Sequence, residues 1–104
     1  LSVNWLEFFG FGQIQGGLGE VRQVLAKKLK VGTAARLARL NVGAMRALVL
    51  QSRGHELAVL HEPVEGPTSP SDPSHCGVYG VSADDHDVAN LIARSVLDAW
   101  PARA

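Results

Sequence analysis

The clearest hydrophobic pattern of the chain lies near its end, in "SADDHDVANLIARSVLDAWP" (82–101). Apolar positions recur there at the spacing of one helical face, and aspartates precede them, where negative charge complements a helix N-terminus. Ser82 followed by Asp85 has the spacing of a capping box, and Pro101 would end the helix. The segment predicts one long amphipathic helix whose buried stripe comprises Val88, Leu91, Ile92, Ser95, Val96 and Ala99.

Two more helices are predicted in the first third of the chain. In "LSVNWLEFF", Asn4 is a candidate N-cap and Glu7 completes a capping box, on either side of Trp5. In "GEVRQVLAKKLK", apolar positions follow helical spacing, lysines fill the last turn, and Gly32 ends the helix. The glycines at positions 16, 17 and 19 are interpreted as a flexible turn rather than a phosphate-binding loop.

Residues 33–53 fit three interpretations. They form one helix with four arginines on one face, a helix-turn-helix with Gly43 in the turn, or a strand followed by a helix. In the last case "ARLARLNV" is extended and "AMRALVLQSR" is helical up to Gly54. Asn41 and Gly43 both weaken a continuous helix, which favours the strand followed by a helix.

Two short strands are predicted further along. "HELAVLHEP" alternates in polarity and ends at Pro63, and "CGVYGV" is rich in strand-forming residues. They flank a long proline-rich loop over residues 63–76, whose tip, "VEGPTSPS", is expected to be mobile. The elements together predict a single α+β domain over residues 1–104, with a small two- or three-stranded sheet covered by three or four helices.

Composition narrows the class of protein. Hydrophobic residues make up 46% of the 104 residues, enough for a modest core, and the single cysteine excludes an intramolecular disulfide. No apolar run is long enough to span a bilayer, and the first residues lack the basic and apolar regions of a signal peptide. We therefore expect a cytoplasmic protein without a membrane partner, and no motif indicates a cofactor.

A net charge of zero conceals two oppositely charged halves. Residues 1–54 carry a net charge of +6, and residues 55–104 carry −6. The favoured interpretation is that the halves pair within the fold; the alternative is a basic face for an anionic partner. In that alternative, nucleic acid would be bound through Arg36, Arg39, Arg46 and Arg53.

The flanks of the proline-rich loop hold the candidate chemistry. His61 ends one predicted strand and His75 begins the next, so paired strands would place two imidazoles as an acid/base pair for phosphodiester cleavage. His86 would complete a three-histidine metal site with His61 and His75, but no metal site is favoured because the spacing matches no standard zinc motif. Cys76 beside His61 is a weaker candidate nucleophile. The ordinary alternative is that the histidines are structural and that Cys76 is a small buried apolar group.

Aromatic residues cluster at the start of the chain. Four of the six lie within residues 5–11. The favoured interpretation is a small core anchor, and the alternative is an exposed docking patch that includes Trp5.

Three segments together resemble a group of short bacterial proteins of uncharacterised function. They are "LSVNWLEFF", "HEP" and "DPSHCGVYG", the last followed by an aspartate-led final helix. The resemblance covers both ends of the chain and implies no activity. It draws attention to Asn4, Trp5, His61, Asp72, Pro73, Ser74 and His75, of which Trp5, Asp72 and Ser74 are candidate binding residues.

The sequence favours a small binding or accessory module that acts through a protein partner or as a homo-oligomer. The reasons are the short chain, the separated charges and the lack of a cofactor motif or a strong catalytic pattern. The alternatives are a small hydrolase or nuclease that uses His61 and His75, and a nucleic-acid-binding module.

Overall fold

A computed structural model describes residues 2–10, 12–67, 70–82 and 84–103. Within these ranges the strands form two antiparallel sheets, of order β1-β4-β3 and β2-β5. This architecture confirms the α+β class, but the second sheet was not predicted. The elements are β1 (Ser2–Asn4), a 3-10 helix (Leu6–Phe9), α1 (Ile14–Lys28), β2 (Arg36–Leu40), α2 (Val42–Arg53), β3 (Ala58–His61), β4 (His75–Tyr79), α3 (His86–Arg94) and β5 (Val96–Pro101).

The main core lies between α2, α3 and Leu57, the residue just before β3. Half-buried apolar side chains from β2, β3 and the turn after β4 close over it, so the core joins both sheets to the helices. Its five buried side chains are Met45, Val49, Leu57, Val88 and Leu91.

The final helix is about half as long as the sequence predicts, because α3 ends at Arg94. The part of the stripe formed by Val88, Leu91 and Ile92 lies in or against the core, as predicted. The chain then leaves the helix at Ser95, and residues 96–101 form β5. The β-branched and aromatic residues of "VLDAWP" favour a strand, and pairing with β2 overrides the helical periodicity. The N-cap is Asp85, which accepts from the N–H of Val88 at 3.0 Å, and not Ser82.

The start of the chain is a strand followed by a 3-10 helix, and the predicted capping box is wrong. Residues 2–4 pair with β4, and Trp5 occupies the N-cap position without a side-chain cap. The Asn4 side chain is instead directed to a polar cluster described below. Long-range pairing with β4 outweighs the local capping signal here.

The predicted glycine turn is part of α1. Gly17 is buried in the second turn of this helix, where a Cβ would lie 2.7 Å from Leu6 Cδ1 and 3.0 Å from Leu6 O. Glycine at this position therefore allows α1 to approach the 3-10 helix closely, which a turn interpretation does not foresee. The predicted strand and helix over residues 33–53 are confirmed, with Asn41 capping α2 by accepting from Ala44 N at 2.9 Å.

Candidate functional site

A buried polar network joins the start of the chain to the end of the proline-rich loop. Asp72 and Ser74 have exposed fractions of 1% and 0%. The Asn4 amide nitrogen donates to Asp72 Oδ1 and to Ser74 Oγ, both at 2.9 Å, and Lys28 Nζ lies 2.9 Å from Asp72 Oδ2. We call Asn4, Lys28, Asp72 and Ser74 the polar network.

The polar network satisfies a carboxylate that would otherwise be costly to bury. An isolated buried charge is strongly unfavourable, whereas Asp72 has a cation on one oxygen and an amide donor on the other. Because Ser74 is fully enclosed and Asp72 nearly so, substrate has no direct access to either side chain. We therefore interpret these two candidate binding residues as structural residues that secure the loop.

The two ends of the proline-rich loop meet in space. Val64 and Asp72 exchange two backbone hydrogen bonds, of 3.0 and 2.9 Å, and the His61 ring bonds to the carbonyl of Pro73. The loop is thus an extension of the β3-β4 hairpin. Of its predicted mobile tip, Thr68 and Ser69 lie outside the described residues.

The structure separates the two histidines predicted as an acid/base pair. In the hairpin His61 lies opposite Cys76, so His75, the neighbour of Cys76 in β4, projects from the other face of the sheet. Nε2 of His61 donates to Pro73 O at 2.7 Å, and Nδ1 of His75 donates to Glu62 O at 2.9 Å. This arrangement does not direct both imidazoles at one substrate atom.

The candidate metal site does not assemble either. His86 is an exposed residue at the start of α3 and is not part of the β3-β4 hairpin. In the described ranges, no group of three His, Cys, Asp or Glu side chains is placed to hold a metal ion. The structure therefore does not bring together His61, His75 and His86, the set that the sequence offered only as an alternative without favouring a metal site.

The aromatic residues at the start of the chain form a surface patch rather than a core anchor. Trp5 and Phe8 have exposed fractions of 46% and 40%. The His61 ring lies against both, with ring centroids 5.3 Å from Trp5 and 5.4 Å from Phe8. We call Trp5, Phe8 and His61 the aromatic patch. Phe11, also part of the aromatic cluster in the sequence, lies outside the described residues.

A cleft of about 790 Å³ opens beside the aromatic patch, between the two sheets. Volumes of this size are typical of binding sites for small molecules or peptide side chains. One wall contains Trp5, His61 and Cys76, and the other contains Leu37 and Trp100. We call this space the intersheet cleft. Its walls combine apolar side chains with indole rings, which suits an amphipathic ligand.

Cys76 lines the intersheet cleft as a protonated thiol. Burial first, and then the carboxylates of Asp72 and Glu62, raise the pKa of Cys76 above its ordinary value of 9.0. Because thiolate is the nucleophilic form, this environment opposes nucleophilic catalysis at neutral pH. Cys76 therefore acts as a small apolar group of the wall, which was the ordinary interpretation of the sequence.

The four arginines proposed for nucleic-acid binding do not form one face. Two lie on β2 and two on α2, and each donates to an acceptor within the chain. Arg36 and Arg39 are three residues apart on a strand, so their side chains leave opposite faces. Their partners are Ala99 O for Arg36 (3.5 Å), Asp98 for Arg39 (2.9 and 3.0 Å), Leu57 O for Arg46 (2.7 Å) and Asp87 for Arg53 (3.2 Å).

Ion pairs connect the basic half of the sequence to its acidic half. In the described part of the chain, each Lys or Arg that forms an ion pair comes from residues 1–54, and each partner comes from residues 55–104. This confirms the interpretation that the halves pair within the fold. The pairs are Lys28–Asp72, Arg39–Asp98 and Arg53–Asp87.

Comparison with known proteins adds no assignment. No family model, curated protein or solved structure matches the chain. Across the described residues, no helix is both long and apolar enough to cross a bilayer.

Two parts of this site were missed from the sequence. Lys28 is 44 residues from Asp72, and no local pattern links them. Trp100 was assigned to a helix, which concealed its place in the cleft wall as the cross-strand partner of Leu37. The β-branched Val96 and the aromatic Trp100, both of which favour strands, were the available signal for β5.

Proposed function

We propose that this chain is a small binding or accessory module that acts through a protein partner or through self-association. The observation that supports this most is the intersheet cleft with the aromatic patch beside it. Exposed tryptophan and phenylalanine side chains are unfavourable in water and are enriched in binding sites. A cytoplasmic location is part of the proposal, because the single thiol is free and forms no disulfide.

The enzyme and nucleic-acid alternatives receive less support. His61 and His75 leave opposite faces of the hairpin, and the four arginines are divided between two elements and satisfied internally. By contrast, the aromatic patch and the cleft form one continuous surface that includes Trp5 and His61.

Site-specific photocrosslinking would test the proposal. A photoreactive phenylalanine analogue replaces Phe8 in the aromatic patch, and the matched control carries it at Leu29, which is exposed but belongs neither to that patch nor to the cleft lining. We expect crosslinked products of defined mass from position 8, formed either with another protein or with a second copy of the chain, and few from position 29.

Sedimentation velocity over a range of concentrations distinguishes the two forms of the proposal. A concentration-dependent mass indicates self-association, and a constant monomer mass together with a position-8 crosslink indicates a different partner. A monomer that gives equal crosslinking at positions 8 and 29 contradicts the proposal.

A further inference from the structure

Two edge strands line the intersheet cleft along consecutive residues. In the described part of the chain β1 pairs with β4 alone and β2 pairs with β5 alone, so each has one unpaired edge. The cleft lining includes the runs 2–7 and 36–42, whereas β5 contributes Leu97 and Trp100. The unpaired edges of β1 and β2 therefore border the cleft.

The register identifies the backbone groups of β2 that point into the cleft. Ala102 N donates to Ala35 O at 2.9 Å, so these two residues form a hydrogen-bonded pair. Alternation then makes Ala38 and Ala99, which lie opposite each other, a non-hydrogen-bonded pair. Pro101, which has no N–H, fits the same alternation. The N–H and C=O of Ala38 thus point away from β5 and towards the cleft.

Arginine side chains cover the backbone at two other strand edges. Arg22 donates to Pro101 O on β5 at 3.1 and 2.9 Å, and Arg46 donates to Leu57 O beside β3 at 2.7 Å. Charged cover of this kind protects an edge from pairing with another chain. In the described ranges Ala38 has no such cover, so the cleft side of β2 is open to a further strand.

From this geometry we infer that the intersheet cleft binds an extended, largely apolar peptide strand of a partner protein, which pairs with the open edge of β2. Strand addition of this kind takes affinity from main-chain hydrogen bonds and specificity from alternate side chains. The inference rests on the proposed binding function and specifies its partner.

The charged residues of the lining leave little free charge at the open edge of β2. They are Glu7, Arg36 and Arg39. Arg39 is paired with Asp98, and the Arg36 guanidinium donates to Ala99 O on β5, away from that edge. An uncharged strand therefore complements the β2 wall better than a charged one.

The side-chain walls support an apolar strand. Leu37 and Trp100 are cross-strand neighbours on one face of the β2-β5 sheet, and Trp5 lies on the opposite wall. A strand bound to β2 would direct every second side chain towards these rings. The cleft, of about 790 Å³, accommodates several such side chains.

The test begins with a selection for peptides that bind the full chain, taken from a displayed library of random octapeptides. The best peptide is synthesised, and its Kd is measured for the wild type, Ala38→Pro and the matched control Ala99→Pro. Each proline removes one N–H that is outside the β2-β5 ladder, but only that of Ala38 faces the cleft. We expect about a tenfold or greater loss of affinity for Ala38→Pro and less than about a twofold change for Ala99→Pro.

A second measurement on the wild type keeps the test decisive if Ala38→Pro fails to fold. Peptides N-methylated at single positions should lose affinity at every second residue, because alternate N–H groups face β2.

Equal effects of the two prolines, or a loss of affinity without two-residue periodicity, would overturn strand pairing while leaving the binding function intact. If the wild type forms a dimer and Ala38→Pro dissociates it, the occupant of the cleft is a second copy of the chain. That result would overturn the inference of a partner peptide. Failure to select any peptide, with a position-8 crosslink still present, would also overturn strand pairing but not the proposed function.

Discussion

At the scale of single residues, the strongest constraint is the carboxylate of Asp72. It is enclosed, and its two oxygens are bound by Asn4 from β1 and by Lys28 from the end of α1. Three segments that are distant in sequence therefore meet at one side chain. Removing one member leaves the others desolvated without a partner, which is the most costly way to alter a buried network.

Replacing Lys28 with methionine should lower the free energy of unfolding by about 1–3 kcal/mol, because the Asp72 carboxylate loses its cation. The matched control is Lys27→Met, at an exposed position of the same helix turn, for which we expect a change below about 0.5 kcal/mol. Urea unfolding followed by circular dichroism measures both.

A double-mutant cycle with Asp72→Asn isolates the pair itself. The double variant Lys28→Met with Asp72→Asn should be more stable than the sum of the single effects predicts, by about 0.5–3 kcal/mol. Additive effects would show that the short Lys28–Asp72 contact contributes nothing to stability beyond the separate side chains.

At the scale of elements, two glycines of α1 that are only two residues apart have different roles in the helix. Gly17 and Gly19 look alike in the sequence, but only one faces the 3-10 helix. A Cβ on Gly17 would contact the side chain and backbone of Leu6, whereas a Cβ on Gly19 would meet no heavy atom within 4 Å. The first glycine permits packing, and the second only weakens the helix.

Alanine substitutions should therefore have opposite effects at these two positions. Gly19→Ala should raise the free energy of unfolding by about 0.5–1 kcal/mol, because alanine loses less backbone entropy on forming a helix. Gly17→Ala should lower it by about 1–3 kcal/mol, because Leu6 and its backbone must move. Urea denaturation of the two single variants provides the comparison, and a shift in the same direction for both would contradict the close contact at Gly17.

At the scale of the whole molecule, ion pairs join the basic half of the sequence to its acidic half. Arg39 and Asp98 face each other in the β2-β5 sheet, with the Arg39 guanidinium also 6.0 Å from the centre of the Trp100 ring. The basic half and the acidic half are thus joined within one sheet. This pairing reduces the positive surface that a nucleic-acid partner would require.

Exchanging the two charges tests this connection. Arg39→Asp should destabilise the fold by about 1 kcal/mol, because like charges then face each other across the strands. Adding Asp98→Arg should recover at least half of that loss, measured by thermal unfolding at low salt. If the exchange restores nothing, the cross-strand charges are independent and the halves are not coupled at this position.

The sequence by itself determined the elements whose local signals agree with their surroundings. Asn41 and Gly54 bound α2, the strands on either side of the proline-rich loop were located, and the apolar positions 88, 91 and 92 identified the inner side of α3. These features depend on capping, alternation and helical periodicity, which act over a few residues. The α+β class follows from them.

Only the tertiary structure determined the secondary structure of segments whose pairing partners lie far along the chain. Residues 2–4 and 96–101 are strands because β4 and β2 supply their hydrogen bonds, and these bonds outweigh local helical signals. The same long-range pairing turned His61 and His75 to opposite faces, brought Lys28 to Asp72, and left the edge of β2 open at the cleft. Pairing across dozens of residues depends on the register of whole strands, which local patterns in a single sequence do not specify.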